Sequence, residues 1–134
     1  MAIAAIDHIN IRTADVPSAC RFFADVLHMQ IRETPGIPDL RQAAWMCDSE
    51  GRAVIHLATG EIRYPWEKSG AIANPGSGRI HHVAFRCTEY EAMRQRLVGL
   101  GMRFQEFAIQ AVNLRQLFVE EPNGITLELN FFGT

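Results

Sequence analysis

Three histidines and one glutamate recur in this chain at a near-constant interval. His82 follows His8 by 74 residues, and Glu128 follows His56 by 72. Imidazole nitrogens and carboxylate oxygens form the ligand set for Zn²⁺, Fe²⁺, Ni²⁺ or Mn²⁺, and a face carrying two histidines and one carboxylate leaves coordination positions open for a substrate. Any one of these residues has an ordinary alternative, because a single strand histidine is more often hydrogen-bonded or half-exposed than a ligand and a single glutamate simply faces solvent. The argument for metal rests on their repetition at equivalent places in two similar stretches of chain.

The stretches are an internal repeat. IDHINIRT, beginning at Ile6, matches IHHVAFRC, beginning at Ile80; LHMQIRE matches LGMRFQE; and RQAAWMCDSEGRAVIHL faces RQLFVEEPNGITLEL. Alternation predicts strands over Ile6–Arg12 and Ile80–Arg86, and apolar residues at helical spacing predict helices over Val16–Leu27 and Glu89–Leu100. Asp15 with Pro17 behind it reads as the start of the first helix and Thr88 as the start of the second, while Gly99–Gly101 ends the second. Three short β-prone runs follow each helix. They are Met29–Glu33, Ala43–Cys47 and Ala53–Ala58 in the first half, and Arg103–Phe107, Arg115–Glu120 and Ile125–Phe131 in the second. Asp48-Ser-Glu-Gly51 and Glu121-Pro-Asn-Gly124 read as tight turns between the last two strands. The pattern is βαβββ twice, with a Gly- and Pro-rich connection between the halves that carries Tyr64 and Trp66.

Period-two alternation sorts the polar residues by face. His8, Asn10 and Arg12 oppose Ile9 and Ile11; His82, Ala84 and Arg86 oppose Val83 and Phe85; His56 opposes Ile55 and Leu57; Glu128 and Asn130 oppose Leu127 and Leu129. The helices cover the apolar faces, so His8, His56, His82 and Glu128 lie on the side away from them. By the same alternation His81 points opposite to His82 and reads as structural, and His28 reads as a helix-end residue favourable to the dipole. Arg12 and Arg86 are candidates to pair with a substrate carboxylate or phosphate. Trp45, Phe118, Tyr64 and Trp66 are candidate pocket walls, with core packing the expected role of the first two.

Composition bounds the function classes. The 134 residues are 48% hydrophobic and 21% charged, enough for one domain with a core. Thirteen Lys+Arg against fifteen Asp+Glu leave a formal charge of -2, with the basic residues scattered, which excludes a dedicated nucleic-acid or membrane-surface binder. There is no apolar run of membrane-spanning length and no secretory start, so a cytoplasmic protein is expected. Cys20, Cys47 and Cys87 are odd in number and widely spaced, as in a reduced chain without disulfides.

At these residues the sequence resembles the vicinal oxygen chelate superfamily, the glyoxalase/bleomycin-resistance/dioxygenase proteins, over nearly its whole length. The resemblance is carried by DHI at His8, HHV at His82, the helix VPSACRFFADVLHMQ and the closing segment FVEEPNGITLELNFF. It implies an α+β fold in which two βαβββ modules, about 1–60 and 79–134 joined by loop 61–78, form a curved eight-stranded mixed sheet with helices on the convex face. It implies His8, His82 and Glu128 as metal ligands and His56 at a fourth position that other members fill with Glu, Gln or His. The implied function is a glyoxalase- or epimerase-like lyase or isomerase acting on a small substrate with vicinal oxygens, with Glu128 and His56 as catalytic residues and a homodimer as the assembly. Two alternatives stay open. An extradiol dioxygenase would use Fe²⁺ with His56 as a non-ligand, although Leu117 and Phe118 stand where those enzymes usually carry a Tyr; non-catalytic drug-binding members lack the metal set. The fosfomycin-inactivating thiol transferases share the ligands, but their potassium- and phosphonate-binding loops find no match here.

Overall fold

The computed structural model describes residues 4–62, 76, 78 and 80–133, which fall into two compact units, Met1–Ala73 and Asn74–Thr134. Tyr64 and Trp66 lie outside the described residues. The first unit runs β1 (Ile9–Arg12), α1 (Val16–Asp25), β2 (Gln30–Arg32), β3 (Ala43–Cys47) and β4 (Ala53–Ala58). The second runs β5 (Val83–Arg86), α2 (Tyr90–Gly99), β6 (Gln105–Ile109), β7 (Leu114–Glu120) and β8 (Thr126–Phe132). The α+β class and the βαβββ order of both halves are as the sequence predicts. The eight strands form two four-stranded mixed sheets, ordered β1-β4-β3-β2 and β5-β8-β7-β6. In each, the first strand of the module lies parallel to the last, and the other neighbours are antiparallel.

Each helix covers one face of its own sheet. Val16, Ala19, Cys20, Phe22 and Phe23 are the buried side of α1, and they share the first core with Ile11, Met46, Ile55 and Leu57. In the second, Tyr90, Met93 and Leu97 of α2 are buried together with Leu117, Val119, Leu127, Leu129 and Phe131, and the Tyr90 ring meets Phe131 edge-on at 5.3 Å. Outside that core, Glu106 of β6 accepts from the Tyr90 hydroxyl and from Nε and Nη2 of Arg94, and Arg94 holds its carboxyl below the usual range.

Helix ends depart from the expected positions in instructive ways. Asp15 caps α1 as predicted, accepting from Ser18 N at 3.0 Å. The second helix is not capped by Thr88: Glu89 occupies the cap position at φ 63° and its side chain makes no cap bond. Both helices stop before the predicted Leu27 and Leu100, because the chain turns left-handed just beyond them. His28 (φ 55°) and Gly101 (φ 67°) take this position, and the next amides, Met29 N and Met102 N, reach back to Phe23 O and Leu97 O at 3.0 Å each. His28 is thus the residue that leaves the helix, rather than part of its last turn.

The turns before β4 and β8 share one construction. Asp48 Oδ1 accepts from the amides of Glu50 and Arg52, and Glu121 Oε1 accepts from those of Asn123 and Ile125. Glu121 is 1% exposed and also takes Asn123 Nδ2 on its second oxygen, so this carboxylate, next to Pro122 in the closing motif, is a structural one. A turn of Gln110–Val112, not predicted from sequence, links β6 to β7 through Asn113 at φ 50°. Cys20 and Cys47 are buried, and burial pushes the Cys87 thiol up to about 11, so none of the three has the environment of a reactive thiolate. We expect Glu121→Ala to lose about 3 kcal/mol of stability, since it strands buried amides, and Asp48→Ala to lose clearly less, as read by urea unfolding of the two variants.

Candidate functional site

The parallel pairing within each module places its donor residues. Asn10 of β1 is opposite His56 of β4, whose other neighbour is Trp45 of β3, and Trp45 faces Arg32 of β2. At the equivalent level of the second unit, Ala84, Glu128, Phe118 and Gln105 form the same row across β5, β8, β7 and β6. His8 and His82 each sit one residue before the first strand of their module. Two of the candidate residues meet in each unit: His8 with His56 in the first, and His82 with Glu128 in the second.

In the first unit the meeting is a stack. The His8 and His56 rings lie 3.7 Å apart at an interplanar angle of 11°, and Trp45 covers the other side of His56 at 4.5 Å and 14°. Arg32 continues the column, its guanidinium 5.5 Å from the indole centroid. His56 Nε2 donates to Ala53 O at 3.1 Å, which leaves Nδ1 as the free nitrogen. Burial, and then the neighbouring His8, lower the His56 pKa from the ordinary histidine value, so the ring stays neutral and keeps a lone pair. His8 Nδ1 donates to Asp7 Oδ1 at 2.7 Å and its Nε2 is left open. An imidazole with one nitrogen bound to a carboxylate or carbonyl and the other open is the arrangement of a metal-ligating histidine.

In the second unit the contact is polar. His82 Nε2 lies 3.5 Å from Glu128 Oε1. That is long for a charge-assisted hydrogen bond, and it matches the separation of about 3.4 Å between two donors each about 2.1 Å from one tetrahedral ion. Asn130 Nδ2 donates to Glu128 Oε2 at 2.8 Å, and Gln116 Nε2 donates to Asn130 Oδ1 at 3.1 Å. The Gln116 bond sets which end of the Asn130 amide faces Glu128, and so fixes the carboxylate with Oε1 toward His82.

Several sequence expectations are corrected here. His81 is not remote from the site: its Nδ1 is 2.9 Å from His82 Nδ1, because both residues precede β5 and strand alternation does not govern them. Arg12 donates to the carbonyls of Thr59 and Ile62, and Arg86 lies 4.6 Å from the centre of the Phe132 ring; both have structural partners. Trp45 and Phe118 are half-buried on the donor face rather than in the core. Gln116 and Asn130 were given no role from sequence, although alternation from Glu128 already places Asn130 on its face. Within either unit, no three His, Cys, Asp or Glu side chains converge among the described residues.

The metal fit differs between the pairs. His82 and Glu128 are spaced as two donors to one ion, and His8 keeps an open nitrogen on a 38% exposed side chain. An imidazole lone pair lies in the ring plane, so the nearly parallel planes of His8 and His56 do not converge on a single ion as they stand. His8 is covered by a ring on one side only and bonded to Asp7, whereas His56 is clamped between two rings.

The chain matches the Glyoxalase/Bleomycin resistance protein/Dioxygenase superfamily over residues 5–129. It belongs to this superfamily. Among solved structures, a glyoxalase/dioxygenase from Nostoc punctiforme superposes with a TM-score of 0.72 at 14% identity, covering 100% of this chain and 98% of that one. A lactoylglutathione lyase from Agrobacterium tumefaciens gives 0.69 at 15% identity, covering 98% and 96%. A "possible glyoxalase" from Bacillus cereus gives 0.61 at 26% identity, covering 95% and 98%. No functionally curated protein is similar enough in sequence to count as a relative. The superfamily includes many enzymes, its members commonly use divalent metals and bind small molecules, and no helix among the described residues of this member is long and apolar enough to cross a membrane.

The clamp on His56 has a measurable signature. In metal-free protein we expect its ring protons to resonate upfield, under the Trp45 ring current, and its pKa to rise toward the ordinary histidine value in Trp45→Leu, because the substitution relieves the burial that disfavours the charged form. Trp45→Phe retains both effects in part. An NMR titration of the histidine ring signals checks this, and unchanged shifts in Trp45→Leu would contradict the stack.

Proposed function

We propose that the protein is a metal-dependent lyase or isomerase of the glyoxalase or epimerase type, acting on a small substrate with vicinal oxygens. The supporting observation is that each module brings its two repeat-related donors together, His8 with His56 and His82 with Glu128. His8, His56, His82 and Glu128 are the proposed ligand set, with His8 turning out of the stack to take part. A divalent ion held by these residues would supply Lewis-acid polarisation of a substrate carbonyl or enol oxygen.

The remaining work falls to the chain. Glu128 is a carboxylate on the donor face that can accept a proton from a substrate carbon beside a carbonyl or enol oxygen, and the Asn130 bond on its Oε2 keeps it aimed. The Gln116 amide fixes Asn130 in turn. His56, neutral between its two ring neighbours, is the second candidate to carry a proton. Phe118, directly opposite Glu128 in the β7–β8 ladder, excludes water from one side of the carboxylate.

A second reading is favoured by one observation. The parallel His8–His56 stack suits His8, His82 and Glu128 as three ligands with His56 beside them as an acid or base, the arrangement expected of an Fe²⁺ extradiol dioxygenase. Elemental analysis of untagged protein separates the readings. The lyase reading expects stoichiometric Zn²⁺, Ni²⁺, Mn²⁺ or Fe²⁺ in the wild type, loss in His82→Ala and Glu128→Ala, and weakened uptake in His56→Ala. Full metal in His56→Ala together with oxygen uptake and yellow products from catechols would establish the second reading, and no metal in the wild type would sink both.

We also propose a homodimer, because β2 and β6 are exposed edge strands that association would cover. Light scattering at micromolar concentration is expected to give twice the chain mass, and a monomer would contradict it.

A further inference from the structure

An open cleft of about 630 Å³ lies in the second unit, walled by the chain between α2 and β6. Part of its wall is on the Glu128 face of the sheet, and Val119, which is on the opposite face, also lines it. Thr126, which lines the cleft, is two residues before Glu128 on β8; Glu120 is opposite Thr126, Phe118 is opposite Glu128, and Gln105 is opposite Phe118. Side chains directly opposite on antiparallel strands share a face, as do residues two apart on one strand. The cleft therefore begins one row from Glu128 and extends across β7 to β6, about 10 Å at ordinary strand spacing.

Two charged residues line it. Arg103 and Glu120 both line the cleft and are exposed, and among the described residues neither has a hydrogen bond or an ion pair. The neighbouring Arg94 and Arg115, by contrast, are engaged with Glu106 and with Glu91 and the Tyr90 ring. Arg103 lies two residues before β6 and Glu120 ends β7, and both line the same cleft. The rest of the lining is largely apolar; the half-buried Phe118 offers ring surface, and the Phe104 ring lies 6.0 Å from the Arg94 guanidinium.

A simple anion is poorly suited to this cleft, since Glu120 opposes the attraction of Arg103. A ligand that presents a carboxylate and an ammonium side by side satisfies both, and an apolar group attached to the same carbon rests on the phenylalanines. We propose that the cleft binds a zwitterionic α-amino-acid group bearing an apolar or aromatic side chain. This names the substrate class and so rests on the proposed function: the amino-acid group is the non-reacting end, held at Arg103 and Glu120, while the oxygens of the same molecule reach His82 and Glu128.

The test uses ¹⁵N-labelled, metal-free protein titrated with L-phenylalanine as the probe. Saturable shifts are expected at the amides of Phe104, Gln105 and Thr126 at millimolar ligand, with N-acetyl-L-phenylalanine and L-phenylalaninamide binding at least about tenfold more weakly, each lacking one charge-assisted contact. Arg103→Gln should abolish the discrimination against the amide, and Glu120→Gln that against the N-acetyl compound. Both residues are exposed, so a dispersed spectrum shows that the variants remain folded. Absent or non-saturable shifts, or equal binding of the three compounds to the wild type, would overturn the assignment. Because no metal is used, failure here leaves the metal content untouched, and failure of metal uptake leaves this binding result standing.

Discussion

The parallel pairing of the first and last strand in each module is the constraint on which the rest of the site depends. In that pairing, Asn10 is level with His56 and Ala84 is level with Glu128, so a residue just ahead of the first strand stands beside a residue in the middle of the last. A parallel pair cannot be closed by a tight turn and needs a long connection. Here the connection is the helix and the two intervening strands, and the helix covers the apolar face while leaving the other face for polar side chains. Burial and chemistry are thus separated by the pleat itself.

The two modules use the same frame with different physics. In the first, the donor position is enclosed by flat rings, and the His56 imidazole is held by stacking from both sides and by one carbonyl. In the second, the equivalent donor is a carboxylate held by a chain of amide hydrogen bonds from Gln116 through Asn130. A neutral ring is oriented well by aromatic neighbours that exclude water, whereas an ionised carboxylate needs polar contacts to remain charged at a half-buried position. Trp45 gives way to Phe118 at one level, and Gln116 and Asn130 appear at the next, where the donor is Glu rather than His.

The carboxylates of the closing segment show how closely similar residues divide their work. Glu121 is buried in its turn and bonded to backbone amides, Glu120 is exposed on the cleft, and Glu128 stands beside His82. Seven positions along the chain separate a structural carboxylate from a candidate catalytic one. Repeat alignment tells the two apart, since Glu121 corresponds to Asp48, which makes the same bonds in the first module, and Glu128 corresponds to His56.

Much of this was legible in the amino-acid order. The repeat, the alternation of Ile55, His56 and Leu57 or of Leu127, Glu128 and Leu129, and the turn residues before the last strands determined the βαβββ order and the face of the donors, because the pleat and tight turns are local properties of the chain. Strand and helix ends were less legible. His8, His81 and His82 lie ahead of their strands, where alternation no longer applies, and Glu89 and His28 take left-handed conformations that their residue types do not announce. Only the tertiary structure decided that Arg12 and Arg86 are committed to partners, that Trp45 clamps His56, and that Arg103 and Glu120 share a cleft. Each of these depends on which side chains face one another across strands distant in sequence, and that relation is created by register and packing rather than by any local preference of the chain.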